Sequence, residues 1–311
     1  MPTRVTVTVL GSLNYDLIAV APRFPEAGES LIGNTFYSAH GGKGGNQAVA
    51  AARLGARVNM IGRVGNDTFG AEMLQGLKNF GVISSGITIQ PDVSSGIAHI
   101  TIDGSSQNKI VIVPGANAYC GDSEIALVKE SMAYSHILLL QMELSPDVSI
   151  KAAEVARHFG KTIVFDPAPA RPLPDHAYDL FDYLIPNETE ATALAGFTVS
   201  DAKSGLAAAR VLHHKGCGVA IVKLGALGAC YASSTEEAYL PAFTVDAIDT
   251  VAAGDAFNGA FAVAITEGKT LRSAVIWAMA AGAIAVTKRG AQTAMPTREE
   301  IAMLLKEQPR K

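Results

Sequence analysis

From residue 121 onward the chain alternates short apolar runs with helical patterns, and that alternation limits the fold more than any other feature. Helical spacing over 122–133 leads to the strand His136 to Met142, a helix over 147–159, and strands Thr162 to Phe165 and Tyr183 to Ile185. Helices over 187–195 and 201–215 then lead to the strand Val219 to Lys223. These strands are apolar at nearly every position, as strands buried on both faces of a parallel sheet must be. The expected fold class is therefore α/β: a three-layer, mostly parallel, doubly wound sheet. Upstream, strands Val5 to Leu10 and Arg57 to Gly62, with a helix over 71–80 stopped by Gly81, fit the same plan. Two stretches do not. Residues 17–40 are broken by Pro22, Pro25 and Gly28, and Gly96 to Ile102 with Lys109 to Val113 reads as a hairpin. Ligands of such sheets sit beyond the carboxyl ends of the strands. Glu143, Asp166, Asn187 and Lys223 all fall at or just past such ends, which predicts one composite site.

Composition narrows the function. The 311 residues are 49% hydrophobic and 17% charged, enough for a large core, and the net charge is −4. The basic residues cluster only in the tail, Lys306 to Lys311, so nucleic acid and anionic membrane are not expected partners. No apolar run reaches the roughly 20 residues of a membrane helix. Met1 to Arg4 lead straight into the first strand without a leader pattern, which predicts a cytoplasmic protein, nuclear as well in a eukaryotic cell. Cys120, Cys217 and Cys230 have no metal-ligand spacing and read as thiols of a reducing compartment. His213 and His214 read as a solvated helical pair.

Asp249-Thr-Val-Ala252-Ala253-Gly254-Asp255-Ala-Phe-Asn-Gly259 carries the chemistry. A small-residue turn feeding a helix leaves amides unpaired at the positive end of the helix dipole, which makes an anion site. Asp255 at its mouth is either a proton acceptor for an attacking hydroxyl or a carboxylate that merely favours the dipole. Gly41-Gly42-Lys43-Gly44-Gly45-Asn46 is not a P-loop, because Lys43 is followed by glycine and no hydroxyl is available for magnesium. Its glycines are expected to let the backbone approach a ligand, with Asn46 opening an Ala-rich helix to Leu54. Asn14 and Asp16, at i and i+2 beyond the first strand, either grip vicinal hydroxyls or form an Asx turn. Lys223-Leu224-Gly225-Ala226-Leu227-Gly228 is a glycine turn that could cradle phosphates, without the full dinucleotide fingerprint. Asn187-x-x-Glu190 has the form of a capping box.

Taken together and in order, these stretches resemble the ribokinase family, the phosphofructokinase-B type of sugar kinase. The resemblance rests on Gly11 to Asp16, His40 to Ala48, Pro186 to Glu190, Asp249 to Gly259 and Ala285 to Gln292, and so spans the chain. It implies one kinase domain over 1–311, in which about 13–41 and 96–114 form a small β-sheet lid that also serves as a homodimer surface. It implies ATP-dependent phosphorylation of D-ribose at the 5-hydroxyl to give ribose 5-phosphate. The alternatives are 2-deoxyribose, fructose or adenosine as acceptor, or a non-catalytic sugar- or nucleotide-binding protein. By resemblance, Asp255 is the base, and the amides of Ala252, Ala253, Gly254 and Asp255 form the anion hole. Asn14, Tyr15, Asp16, Gly42, Lys43, Gly44, Gly45, Asn46, Glu143 and Asp255 would hold the sugar. Asn187, Glu190, Lys223, Leu224, Gly225, Ala226, Leu227, Gly228, Gly254 and Met279 would serve ATP and Mg²⁺. A K⁺ loop would use Asp249, Val251, Ala285, Lys288, Gly290 and Ala294. Three positions depart from the pattern. Lys223 stands where the family has Thr or another small residue, Met279 where a polar residue meets the adenosine, and Ala294 where Ser is common.

Overall fold

The computed structural model describes residues 5–105 and 107–310. Met1 to Arg4, Ser106 of the hairpin loop and Lys311 of the basic tail lie outside the described residues. The first half contains β1 (Thr6–Leu10), β2 (Asn14–Val20), β3 (Thr35–Gly41), α1 (Lys43–Arg53), β4 (Arg57–Gly65), α2 (Thr68–Asn79), β5 (Ile83–Gln90), β6 (Gly96–Ile102) and β7 (Asn108–Val113). The alternating part follows as α3 (Asp122–Ser131), β8 (Ile137–Gln141), α4 (Pro146–His158), β9 (Thr162–Asp166), β10 (Tyr183–Leu184), α5 (Glu188–Ala195), α6 (Ala202–His214) and β11 (Val219–Lys223). The chain ends with β12 (Gly228–Ser233), β13 (Glu237–Pro241), α7 (Ala253–Thr266), α8 (Leu271–Ala285) and α9 (Arg298–Glu307).

Nine strands form one sheet in the order β13-β12-β11-β10-β9-β8-β1-β4-β5. It is parallel from β5 to β11, and β12 and β13 add an antiparallel edge. Side chains alternate between its faces, so each inner strand feeds two cores. Val7, Val9, Leu139, Val164 and Ile221 face α1, α7 and α8, whereas Leu138, Leu140, Phe165 and Val222 face α3, α4 and α6. This is the three-layer, doubly wound arrangement expected. A second sheet, β3-β2-β6-β7, takes both stretches that broke the rhythm.

The departures have local causes. β5 was not anticipated because Ile83-Ser-Ser-Gly-Ile-Thr-Ile-Gln90 is half-buried and polar at an edge of the sheet. β12 is built from Gly-Ala-Cys-Tyr-Ala-Ser, small residues apart from Tyr231; Cys230 and Ala232 are buried beneath α6, and Ala229 and Tyr231 in the opposite core. α9 is announced only by the Thr297–Glu300 capping box. The helix after the glycine run begins at Lys43 rather than Asn46. Its glycines let the protein's own backbone approach closely: a side-chain carbon at Gly44 would lie 2.6 Å from the carbonyl carbon of Gly11, and one at Gly42 2.7 Å from the amide nitrogen of Asn14. Gly42 also has φ 83°, natural only for glycine. α1 thus starts directly above the β1–β2 turn.

Gly44→Ala should therefore destabilise the fold by about 2 kcal/mol, because backbone rather than a flexible side chain must yield. Urea denaturation with the midpoint lowered and the slope unchanged is the expected reading; an unaltered midpoint would contradict this close approach.

Candidate active site

The first turn of α7 begins abruptly. Ala252, its N-cap, is left-handed at φ 58°, ψ 12°, a conformation that costs a non-glycine residue about 1–2 kcal/mol. Ala253 N–H reaches only the Thr250 carbonyl at 3.4 Å, and among the described residues the amides of Gly254 and Asp255 have no backbone partner. Free amides at the positive end of a 14-residue helix make an anion site. The Asp255 side chain stands in the same turn and is 4% exposed.

That carboxylate is held from α1. Asn46 Nδ2 donates to its Oδ2 at 2.9 Å and Gln47 Nε2 donates to its Oδ1 at 3.0 Å. Burial pushes its pKa up to about 6; Lys43 opposes this, Asp166 adds to it, and the two amide donors oppose it. Lys43 comes from the first residue of α1. Burial works against its charge, but Asp255, Asp166, Glu143 and Glu190 around it prevail and hold the ammonium above its ordinary range. Asn46 Oδ1 is buried without a hydrogen-bond partner in the structure, an acceptor left for a ligand.

The other polar groups converge from β2 and β8. Asn14 opens β2 and is not in an Asx turn; its Oδ1 accepts from Asn117 Nδ2 at 2.9 Å, so the amide is oriented with its own NH₂ free of that bond. Asp16 stands over Gly41, and burial, then the charges of Glu143 and Asp255, push its pKa up to about 7. Glu143 accepts from the Lys43 amide at 3.1 Å and from the Ser12 hydroxyl. Tyr15 is not brought to this cluster. By strand parity it points the other way, its ring stacked on Phe69 at 4.4 Å and its hydroxyl bonded to Glu72 and Ser38. Gly44 packs on Gly11, and Gly45 lies against Leu13 and Gln292.

On the far side of Asp255 a cavity of about 830 Å³ runs outward from Lys43. Lys223 Nζ stands 3.3 Å from Asp166 Oδ1 and against Gly254, so its ammonium adjoins the free amides. Asn187 and Glu190 do form the capping box, in both directions. Glu190 nevertheless faces the same cavity; burial and the Asp166 charge raise its pKa against Lys223 and Lys43. Gly225, Ala226 and Gly228 line the wall, whereas Leu224 is buried in the core and Leu227 is turned to solvent. Met279 closes an apolar end with Phe243 and Val286.

Asp249 spans the two segments expected to form a cation loop, accepting from the amides of Val251 and Gly290, each at 3.0 Å. The Ala285 carbonyl accepts from Lys288 N–H at 3.1 Å, Lys288 Nζ turns away to Glu300, and Ala294 is buried in a 3₁₀ turn. Among the described residues no cluster of three or more His, Cys, Asp or Glu side chains could hold a metal ion, and no helix is long and apolar enough to cross a membrane. Sequence reasoning missed Ser12, Gln47 and Asn117. Gln47 alone had a signal, four residues after Lys43 and so on the same helical face.

A family model described as pfkB family carbohydrate kinase matches residues 5–298. The chain is 41% identical over 297 residues to a ribokinase of Haemophilus influenzae, covering 96% of this chain and 97% of that one. It is also 35% identical over 295 residues to a deoxyribokinase of Salmonella typhi, covering 94% and 96% of the two chains. Among solved structures, the ribokinase of Arabidopsis thaliana complexed with ribose and ATP superposes with a TM-score of 0.90 at 30% identity, over 98% of this chain and 99% of that one.

Proposed function

The chain belongs to the pfkB family of carbohydrate kinases, and we propose how its site carries out the ATP-dependent phosphorylation of ribose. The observation that carries the reading is that a buried proton acceptor and an anion hole share one helical turn. ATP occupies the cavity, its adenine at the apolar end by Met279 and its triphosphate along Gly225, Ala226 and Gly228. Ribose lies between Asn14, Asp16, Lys43, Asn46 and Glu143, beneath the β3-β2-β6-β7 sheet acting as a lid. Asp255 takes the proton of the 5-hydroxyl as that oxygen bonds to the γ-phosphorus and the bond to the β-phosphate oxygen breaks. The products are ribose 5-phosphate and ADP. Free amides of α7, with the ammoniums of Lys43 and Lys223, stabilise the charge spread over the moving phosphoryl group.

Two ions fit the residues present. Mg²⁺ commonly takes few carboxylates and keeps water and phosphate ligands, which suits Asn187 and Glu190 acting through water at the cavity wall. It would neutralise charge between the β- and γ-phosphates. K⁺ suits Asp249 with carbonyls of Val251, Ala285, Lys288 and Gly290, Ala294 offering at most a carbonyl; bound there it would order the turn leading into α7. The whole of 1–311 then acts as one kinase domain, with the lid drawn from 13–41 and 96–114. β7 is an open edge exposing Ile110, Val111 and Ile112, which supports a homodimer through the lid. Free, buried thiols at Cys120, Cys217 and Cys230 support a cytoplasmic setting.

Asp255→Asn should lower kcat by about 10²–10⁴-fold while ribose still binds, because the acceptor alone is lost. In the unaltered enzyme the base must be ionised. A carboxyl pushed up to about 6 therefore makes kcat/KM fall as pH drops through that value. Near-normal turnover of the Asn variant in a coupled ADP-release assay would overturn the assignment. Rates with K⁺ should exceed those with Na⁺ at saturating ATP and ribose; equality in the two salts would remove the cation loop from the reaction.

The identity to deoxyribokinases makes the acceptor worth separate measurement. Asn14, Asp16, Lys43 and Asn46 offer donors and acceptors to adjacent ring hydroxyls, and a site built for a hydroxyl penalises its absence. Ribose should exceed 2-deoxyribose by at least about tenfold in kcat/KM. The reverse order would make the chain a deoxyribose kinase with the same chemistry.

A further inference from the structure

Asp255 receives two hydrogen bonds, and one comes from a side chain that no substrate reaches. Gln47 is fully buried on α1, one turn beyond Lys43. Its Nε2 lies 3.0 Å from Asp255 Oδ1 and 2.9 Å from Asp166 Oδ2. A carboxylate only accepts, so the nitrogen end of the amide must face the pair, and its two N–H groups match the two oxygens one to one. The oxygen end is fixed in turn: Gln47 Oε1 accepts from Gln141 Nε2 at 2.8 Å, at the last residue of β8. Gln141 is itself 1% exposed. An anchored amide thus spans the carboxylate beside the anion hole and the one that pairs with Lys223.

We propose that Gln47, anchored by Gln141, is the positioning residue of the transfer reaction, locking the Asp255 carboxylate toward the sugar hydroxyl and keeping the Asp166 carboxylate apart from it. The inference rests on Asp255 acting as base. Asn46 holds one carboxylate oxygen and Gln47 the other, so the plane of the group is set from both sides. Without Gln47 the carboxylate turns about its own bond, and two neighbouring anions lose the donor between them. A misplacement of about 1 Å is enough for a 10²-fold loss in rate, with no lost substrate contact to weaken binding.

Gln47→Leu keeps the bulk and removes both donors. Its expected reading is a kcat lowered about 10- to 100-fold, with the ribose dissociation constant, by titration calorimetry, within threefold of the parent. In an Asp255→Asn background the same change should add nothing to the loss, since there is no base left to orient. The proposal is overturned if kcat stays within twofold of the parent, if ribose affinity falls in step with kcat, or if the loss in the Asp255→Asn background equals that in the parent. Should Gln47→Leu not fold, Gln141→Leu removes only the anchor; kcat lowered at least threefold at unchanged ribose affinity supports the proposal, and unchanged kcat overturns it. Asp255→Asn alone separates the failures: normal turnover there removes the base, whereas an inactive Asn variant beside an unaffected Gln47→Leu removes only the positioning role.

Discussion

One ammonium makes the rest of the site possible. Asp255, Asp166, Glu143 and Glu190 all lie close enough to Lys43 to act on its charge, and several of them are nearly sealed from water. Carboxylates so gathered would protonate or repel one another apart; burial alone already lifts Asp255 and Asp16. Lys43 can stand among them because α1 starts above the β1–β2 turn, and α1 can start there because Gly44 meets Gly11 without a side chain between. Charge balance and close packing are here the same constraint. Lys223 extends it outward, giving Asp166 a second cation on the side of the cavity.

The frame was legible where burial on both faces forces a run of apolar residues, as in Ile137-Leu-Leu-Leu-Gln141 and Val219-Ala-Ile-Val-Lys223. It was not legible where packing selects mostly small residues, as in β12, because Gly-Ala-Cys-Tyr-Ala-Ser offers Tyr231 as its one bulky side chain and no apolar-polar alternation. Nor does the left-handed Ala252 have any local signal; surrounding structure holds it, not its own preference. Within the site, charged residues at strand ends were readable since their positions have no other ready use. Asn117 was not, and Gln47 only as a neighbour of Lys43 on one helical face: each acts by hydrogen-bonding a side chain distant in sequence, and no spacing along the chain encodes such a partner. Parity sorted the rest, for alternation along β2 sends Asn14 and Asp16 to one side and Tyr15 to the other.

The two sheets meet at a narrow seam. β2 leaves the large sheet three residues after β1 ends, and at Asn14 it pairs at once with Gly41 and Gly96. Asn117, on the chain's way back, holds the backbone of Leu13 through both its N–H and its C=O as well as the side chain of Asn14. A carbon added at Gly96 would strike the amides of Asn117 and Asn14. The seam therefore fastens the small sheet to the large one through Asn14 itself, with Asn117 as its clasp. Asn14 and Asp16 are residues of β2, so the small sheet's position and theirs are fixed by the same hydrogen-bond ladder.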